Sequence, residues 1–306
     1  MIVRRPCEAP QYTLSPRKGS ALLVVLVMLG MIAVLASVVG RVVGGTARDL
    51  SAAMASERAF VAARAGLELA GLMLRSSELE MLGAATRTVA LDGTTVTMDV
   101  VNERGRIDLN GAPEELFAGL FRALGEEGER ADAIAARIVD WRDPDDDVRE
   151  GGAEVGAYRG SGLAAPRNGP FVHPLELASV LDMPPALVQR ALPYITVGNP
   201  SGLVDPYVAD AVVLQALPGT STSRIESFLE ERQTGLPDSE LAVLQLGASE
   251  EYVSEDPAPG WRATITVTPT RGRPRRFVAL IVDREDDMRP YRVLYMLDEV
   301  LAGDGP

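Results

Sequence analysis

Residues 20–40 carry no charged side chain, and immediately ahead of them stand Arg17, Lys18 and Gly19. At a rise of about 1.5 Å per residue, a helix over this run spans the roughly 30 Å hydrocarbon core of a bilayer. The residues before it hold Arg4, Arg5, Arg17 and Lys18 against Glu8. The positive-inside rule therefore predicts a single pass with residues 1–19 in the cytoplasm and the C-terminal bulk across the membrane. A secretory signal peptide has a shorter apolar region, about 7–15 residues, that ends in a small-residue cleavage site. Here the run is longer, and the small residue lies ahead of it.

Beyond the span, Phe60, Ala63, Leu67, Ala70 and Leu74 recur every three or four residues, with Arg58, Arg64, Glu68 and Arg75 between them. This spacing predicts that the membrane helix continues as an amphipathic one to about Met81. Residues 86–91 and 94–101 alternate around Asp92-Gly93, which favours a type I′ hairpin. Helical spacing follows over 113–124, 130–141, 175–180, 186–192, 208–217 and 222–231, and strand alternation returns over 261–268, 276–283 and 291–298. The expected fold is α+β: a long N-terminal helix on an antiparallel sheet that is split in sequence by a large all-α insertion. Inside the insertion, residues 107–112 with Leu120 can be laid over 204–209 with Leu217. Leu217-Pro218-Gly219 and Leu181-Asp182-Met183-Pro184 are similar to the turns of helix-hairpin-helix units.

The run Arg17-Lys18-Gly19-Ser20-Ala21-Leu22-Leu23-Val24-Val25-Leu26 resembles the prepilin peptidase site of pilins and pseudopilins. The resemblance makes Gly19 the last leader residue and Ser20 the first mature one. Most such subunits carry glutamate at the fifth mature position, which here is Val24. The family that typically lacks it is general secretion pathway protein K, the large minor pseudopilin of the type II secretion system. The chain is similar to that family also in Arg104-Gly105-Arg106-Ile107-Asp108-Leu109-Asn110, in Ile138-Val139-Asp140-Trp141-Arg142-Asp143, in Gly152-Ala153-Glu154, and in Phe171 with Glu176-Leu177.

The resemblance implies a structural subunit of the inner membrane, its bulk periplasmic, at the tip of the pseudopilus, where it helps initiate and cap assembly. Its implied partners are the minor pseudopilins of the I, J and H families, the major pseudopilin, the prepilin peptidase, the inner-membrane secretion platform and membrane lipid. The implied division is a leader over 1–19, a transmembrane helix over 20–43, helix and first strands over 44–110, the α-helical insertion over 111–235, and completing strands over 236–306. Val24, Phe60, Leu67 and Leu74 are the expected partner-packing positions. An uncharged Val24 suits a subunit with no neighbour ahead, because a carboxylate without a partner amine is costly in a membrane.

Asp143, Asp145 and Asp147 stand at alternate positions, and Glu154 is twelfth counting from Asp143. This is the ligand spacing of a calcium loop, although Val148 stands where such a loop needs glycine, and the segment after Glu154 is Gly-rich and expected to be non-helical. Crowded carboxylates repel unless a cation is present, and the family is associated with calcium. These four residues are therefore the candidate ligands.

Other chemistry finds less support. The formal charge is −13, of which residues 1–19 contribute +3, leaving −16 on the remainder. That does not suit a nucleic-acid surface. The one histidine, His173, has no second histidine to join in a zinc cluster, and nothing marks a triad around it, since neither Ser161 nor Ser221 lies in a Gly-x-Ser-x-Gly elbow. Cys7, the only cysteine, falls in the leader, so the exported part has no disulfide. The reading is non-enzymatic. The alternatives are a pilin-like subunit of a type IV pilus or competence system that binds nucleic acid or another ligand, and an anchored enzyme.

Overall fold

The computed structural model describes residues 20–75, 79, 83–234, 239–256, 258–283 and 291–299. The predicted leader, including Gly19, lies outside them. The chain divides into two compact units, Met1–Arg58 and Ala59–Pro306. In the first, helix α1 (Ser20–Met73) begins, and every side chain from Leu22 to Arg41 is exposed. That stretch is long and apolar enough to cross a bilayer. The helix stops at Met73, short of the Met81 expected from spacing. Residues 76–78 and 80–82 are outside the described set.

The second unit opens on the last turns of α1, which bury Ala63, Leu67 and Ala70 against an antiparallel sheet. Its strands are β1 (Ala84–Leu91), β2 (Thr94–Asn102), β5 (Gly260–Pro269), β6 (Arg275–Asp283) and β7 (Tyr291–Glu299), in the order β1-β2-β5-β6-β7. Asp92 and Gly93 both have positive φ, 45° and 73°, as a type I′ turn requires. Alternate residues Val96, Met98 and Val100 of β2 face the helix together with Ala263, Ile265 and Val267 of β5. Gly66 lets α1 lie close: a Cβ there would stand 2.9 Å from Val96 Cγ1 and 3.0 Å from Ile265 Cγ2.

Between β2 and β5 comes the insertion. It holds β3 (Ile107–Asp108), α2 (Glu114–Ala123), α3 (Gly128–Arg142), α4 (Val155–Gly160), α5 (Pro185–Ala191), β4 (Ile195–Thr196), α6 (Ala211–Ala216), α7 (Thr222–Thr234) and α8 (Ser239–Leu246), with β3 and β4 paired in parallel. Phe117, Phe121, Ile134, Leu187, Leu214 and Phe228 contribute to a core distinct from that under the sheet. Helices α2 and α6 touch at Gly119, where a Cβ would sit 2.1 Å from Ala216 O. Helices α4 and α8 were not expected from the sequence. In particular, the segment after Glu154 is helical despite its glycines.

The neck between sheet and insertion is polar. Asn102 donates from Nδ2 to Ala258 O at 2.8 Å and accepts from Ala258 N at 3.1 Å, so its amide extends the β2–β5 ladder. Glu103, with no exposed surface, accepts from Arg262 Nε at 3.0 Å, Arg262 Nη2 at 3.1 Å and Arg106 Nη1 at 2.6 Å. Burial opposes ionisation of Glu103, but Arg262 and Arg106 outweigh it and hold its carboxyl below the ordinary value. Asp108 caps the turn that follows: Oδ1 accepts from Asn110 N and Gly111 N, and Oδ2 from Asn199 N.

Glu103→Ala leaves two guanidiniums facing a buried void, at a cost of about 3–5 kcal/mol. The expected result is a matching loss in urea unfolding of the detergent-solubilised protein. Because the pKa of Glu103 is depressed, the native protein should also lose this contribution as pH falls from 4.5 through its lower folded value.

Candidate functional site

The acidic loop leaves the C-terminus of α3. Its first acid, Asp140, lies in the last helical turn and is wholly buried. Asp140 Oδ2 accepts from Ala153 N at 2.8 Å and from Arg149 N at 3.4 Å, so the chain curls back around it. The curl requires Gly151, at φ 77°, and Gly152, where a Cβ would stand 2.1 Å from Asp140 Oδ2. Arg142 fixes the base of the loop by donating to Leu109 O and Ala112 O, each at 2.7 Å. Trp141 stacks on Phe171 at 6.0 Å between ring centroids, and Asn110 pairs with Phe171 N and O.

Of the four acids singled out by spacing, Asp143 and Glu154 point into the structure, while Asp145 and Asp147 are exposed. Glu154, only 5% exposed, has no hydrogen-bond donor at either carboxylate oxygen. Asp140 Oδ1 and Asp143 Oδ1 also lack donors, as does the amide oxygen of Asn168. The Nδ2 of Asn168 holds the outer part of the loop, donating to Asp145 O at 2.9 Å and Asp146 Oδ1 at 3.2 Å. Arg149 is the nearest cation, with Nε 3.3 Å from Asp140 Oδ1 and Nη2 3.6 Å from Asp143 Oδ2.

The electrostatics follow. Burial, and then Asp140, Asp143, Asp146 and Asp145, push the Glu154 carboxyl up to about 7. Burial also raises Asp140, against the hydrogen bonds from Arg149 and Ala153. Burial and then Asp145 raise Asp143. Among the described residues, no three acidic, histidine or cysteine side chains form a finished metal cage. The donor set is nevertheless oxygen only, hard and short of protons, which fits a calcium-type cation rather than a transition metal. Asp140 stands just ahead of the four acids that the spacing singles out and is not among them. Asn168 carried no signal at all, since it joins the loop only through tertiary folding.

The expected packing positions on α1 separate. Val24 is 52% exposed in the first unit, whereas Leu67 and half-buried Leu74 belong to the core under the sheet. Phe60 packs edge-on against Phe277 at 6.2 Å yet remains 42% exposed, next to exposed Val61. Ser20 is the first residue of α1.

A family model for type II secretion system protein K matches residues 98–200, which run from β2 through the neck and acidic loop to the turn after β4. Over that stretch, about a third of its length, the chain is similar to the type II secretion system protein K family. It is 28% identical over 211 residues to the type II secretion system protein K of Pectobacterium carotovorum subsp. carotovorum, covering 59% of this chain and 63% of that one. The protein K of Dickeya chrysanthemi is 27% identical over 148 residues, covering 48% and 36% respectively. The chain thus matches less than two thirds of the length of these protein K relatives. In fold it is similar to a chain of the GspK–GspI–GspJ complex of the enterotoxigenic Escherichia coli type 2 secretion system. That match has a TM-score of 0.63 and 18% identity, and covers 80% of this chain and 97% of that one. The chain shares with it a mixed α+β fold, with an antiparallel sheet split by helices.

The raised pKa of Glu154 gives a signed prediction for this protein. A carboxyl that binds its proton more tightly when folded makes the metal-free protein less stable as pH rises from about 4.5 to 7. In chelator, the unfolding free energy from denaturant titrations should fall across this window, by about 3 kcal/mol at most, and Glu154→Gln should flatten the fall.

Proposed function

We propose that this chain is the large minor pseudopilin of a type II secretion system. In this role it is anchored by α1 with its bulk periplasmic, and it starts and caps the pseudopilus. The observation that carries this reading is the combination of an apolar N-terminal helix, continuous with the helix under a pilin-like sheet, and a bulky insertion between β2 and β5. The helix supplies the means of joining a fibre. The insertion, with a hydrophobic core of its own, would block a further subunit from stacking above. Val24 suits the same place, because a terminal subunit has no neighbouring amine for a glutamate to neutralise.

Cleavage by a prepilin peptidase between Gly19 and Ser20 would make α1 begin at the mature N-terminus. The I- and J-type pseudopilins are the proposed immediate partners, by analogy with the complex named for the similar Escherichia coli structure. H-type and major pseudopilins would follow below them. Exposed Phe60 and Val61 on α1 are available for such packing, while Leu67 serves the protein's own core. The turns at Leu181–Pro184 and Leu217–Gly219 serve as helix-hairpin-helix-like packing elements in an acidic insertion that offers nothing to a nucleic acid.

Calcium is the proposed resident ion of the acidic loop. Asp140, Asp143, Glu154 and the Asn168 amide would supply oxygens, with Asp145 and Asp147 closing from outside. Its role would be structural, neutralising carboxylates that otherwise repel and fixing the loop against α3.

Co-expression with the prepilin peptidase, followed by mass determination of the intact protein, tests the central role. The expected mature chain starts at Ser20, and it should co-purify with I- and J-type partners. Retention of residues 1–19, or cleavage elsewhere, would contradict the reading.

A further inference from the structure

From Asp143 to Tyr158 the chain carries six acidic residues and one basic residue, Arg149. The main chain of Arg149 is fixed within the loop. Its N–H donates to Asp140 Oδ2 at 3.4 Å, and its carbonyl accepts from Gly152 N at 2.9 Å. The side chain is held differently. Each of its three nitrogens faces a separate acid: Nε is 3.3 Å from Asp140 Oδ1, Nη2 is 3.6 Å from Asp143 Oδ2, and Nη1 is 3.8 Å from Glu114 Oε2.

Charge-assisted hydrogen bonds between nitrogen and oxygen are about 2.7–2.9 Å long, so all three contacts are loose. The arginines of the neck and of the loop base differ in this. Arg262 and Arg106 reach Glu103 at between 2.6 and 3.1 Å, and Arg142 reaches two carbonyls at 2.7 Å. The Arg149 side chain is also 46% exposed, against 17% for Arg262. It can therefore shift its charge among the three acids with little repacking, while its main chain stays in place.

The three acids are not equivalent. Asp140 and Asp143 belong to the oxygen set assigned above to calcium, and Asp140 Oδ1 has no hydrogen-bond donor. Glu114 stands in the first turn of α2 and is no part of that set. A guanidinium and a divalent cation that share the same carboxylates repel each other strongly at such short range. When Asp140 and Asp143 turn to a cation, Glu114 is the partner left to Arg149.

We propose that Arg149 is the internal counter-ion of the acidic loop, which competes with a divalent cation for Asp140 and Asp143 and is retained by Glu114 when a cation enters. The proposal rests on the reading of the loop as a calcium site. It makes Glu114, outside the donor set, a determinant of cation affinity. If Arg149 were instead a strut that shapes the loop for the ion, its removal would weaken binding.

The test is calorimetric titration of the full-length, detergent-solubilised protein with calcium chloride, for the parent, Arg149→Met, Glu114→Gln and the double variant. Arg149→Met should bind about tenfold or more tightly, because one repelling charge is gone. Glu114→Gln should bind about threefold more weakly, because Arg149 then has only the loop acids to hold it. With Arg149 already replaced, Glu114→Gln should change affinity by less than about twofold, the non-additivity expected when one residue acts through the other. Saturable binding by the parent with no gain in Arg149→Met would overturn the competition and leave the calcium reading standing. Unchanged affinity in Glu114→Gln would overturn it too, and that variant decides the matter if Arg149→Met does not fold. Absence of saturable binding in all four proteins would overturn the calcium reading, and the competition with it.

Discussion

The pairing of β2 with β5 is the contact on which the rest of the molecule depends. These strands are separated by the whole helical insertion, yet they form the centre of the sheet that receives α1. Closing so long a loop costs little more entropy than closing one half its length, so the insertion is tolerated wherever its two ends are pinned together. The pins are the Asn102 amide on Ala258 and the Glu103 carboxylate between Arg262 and Arg106. A polar neck suits two bodies with separate hydrophobic cores, because a charge cluster tolerates only one alignment where an apolar seam would slide.

A rigid neck and a self-sufficient insertion core also let the acidic loop be electrostatically incomplete. Asp140 is satisfied on one oxygen by the curl through Gly152-Ala153, while Glu154 is satisfied on neither. Arg149 supplies one positive charge near several carboxylates. A protein pays for such an arrangement unless something outside the chain neutralises it. The loop is thus the part of the fold that most clearly calls for a ligand, and it lies within the stretch that matches the protein K family model.

Much of this could be read from local pattern. Asp92-Gly93 announced its hairpin because both residues tolerate positive φ, and the strands follow alternation to within a residue or two. Helix α4 was missed because its glycines mask a short helix that is held by Tyr158, whose hydroxyl accepts from Leu181 N at 3.1 Å, a contact between distant residues. The spacing of Asp143, Asp145, Asp147 and Glu154 drew attention to the right loop. Spacing alone could not separate buried Glu154 from exposed Asp145, nor bring in Asn168 from beyond α4. Likewise, the stripe on α1 was visible, but only packing shows that Leu67 is used internally while Phe60 keeps an open face.

We propose that the loop is completed by a cation which replaces a proton on Glu154. Calorimetric calcium titration of the full-length protein, in buffers of differing ionisation enthalpy, measures binding and proton release together. The account predicts saturable binding with a proton release that is large near pH 6 and vanishes by about pH 9, and that Glu154→Gln abolishes the release. Absence of saturable binding, or binding near pH 6 without proton release, would contradict it.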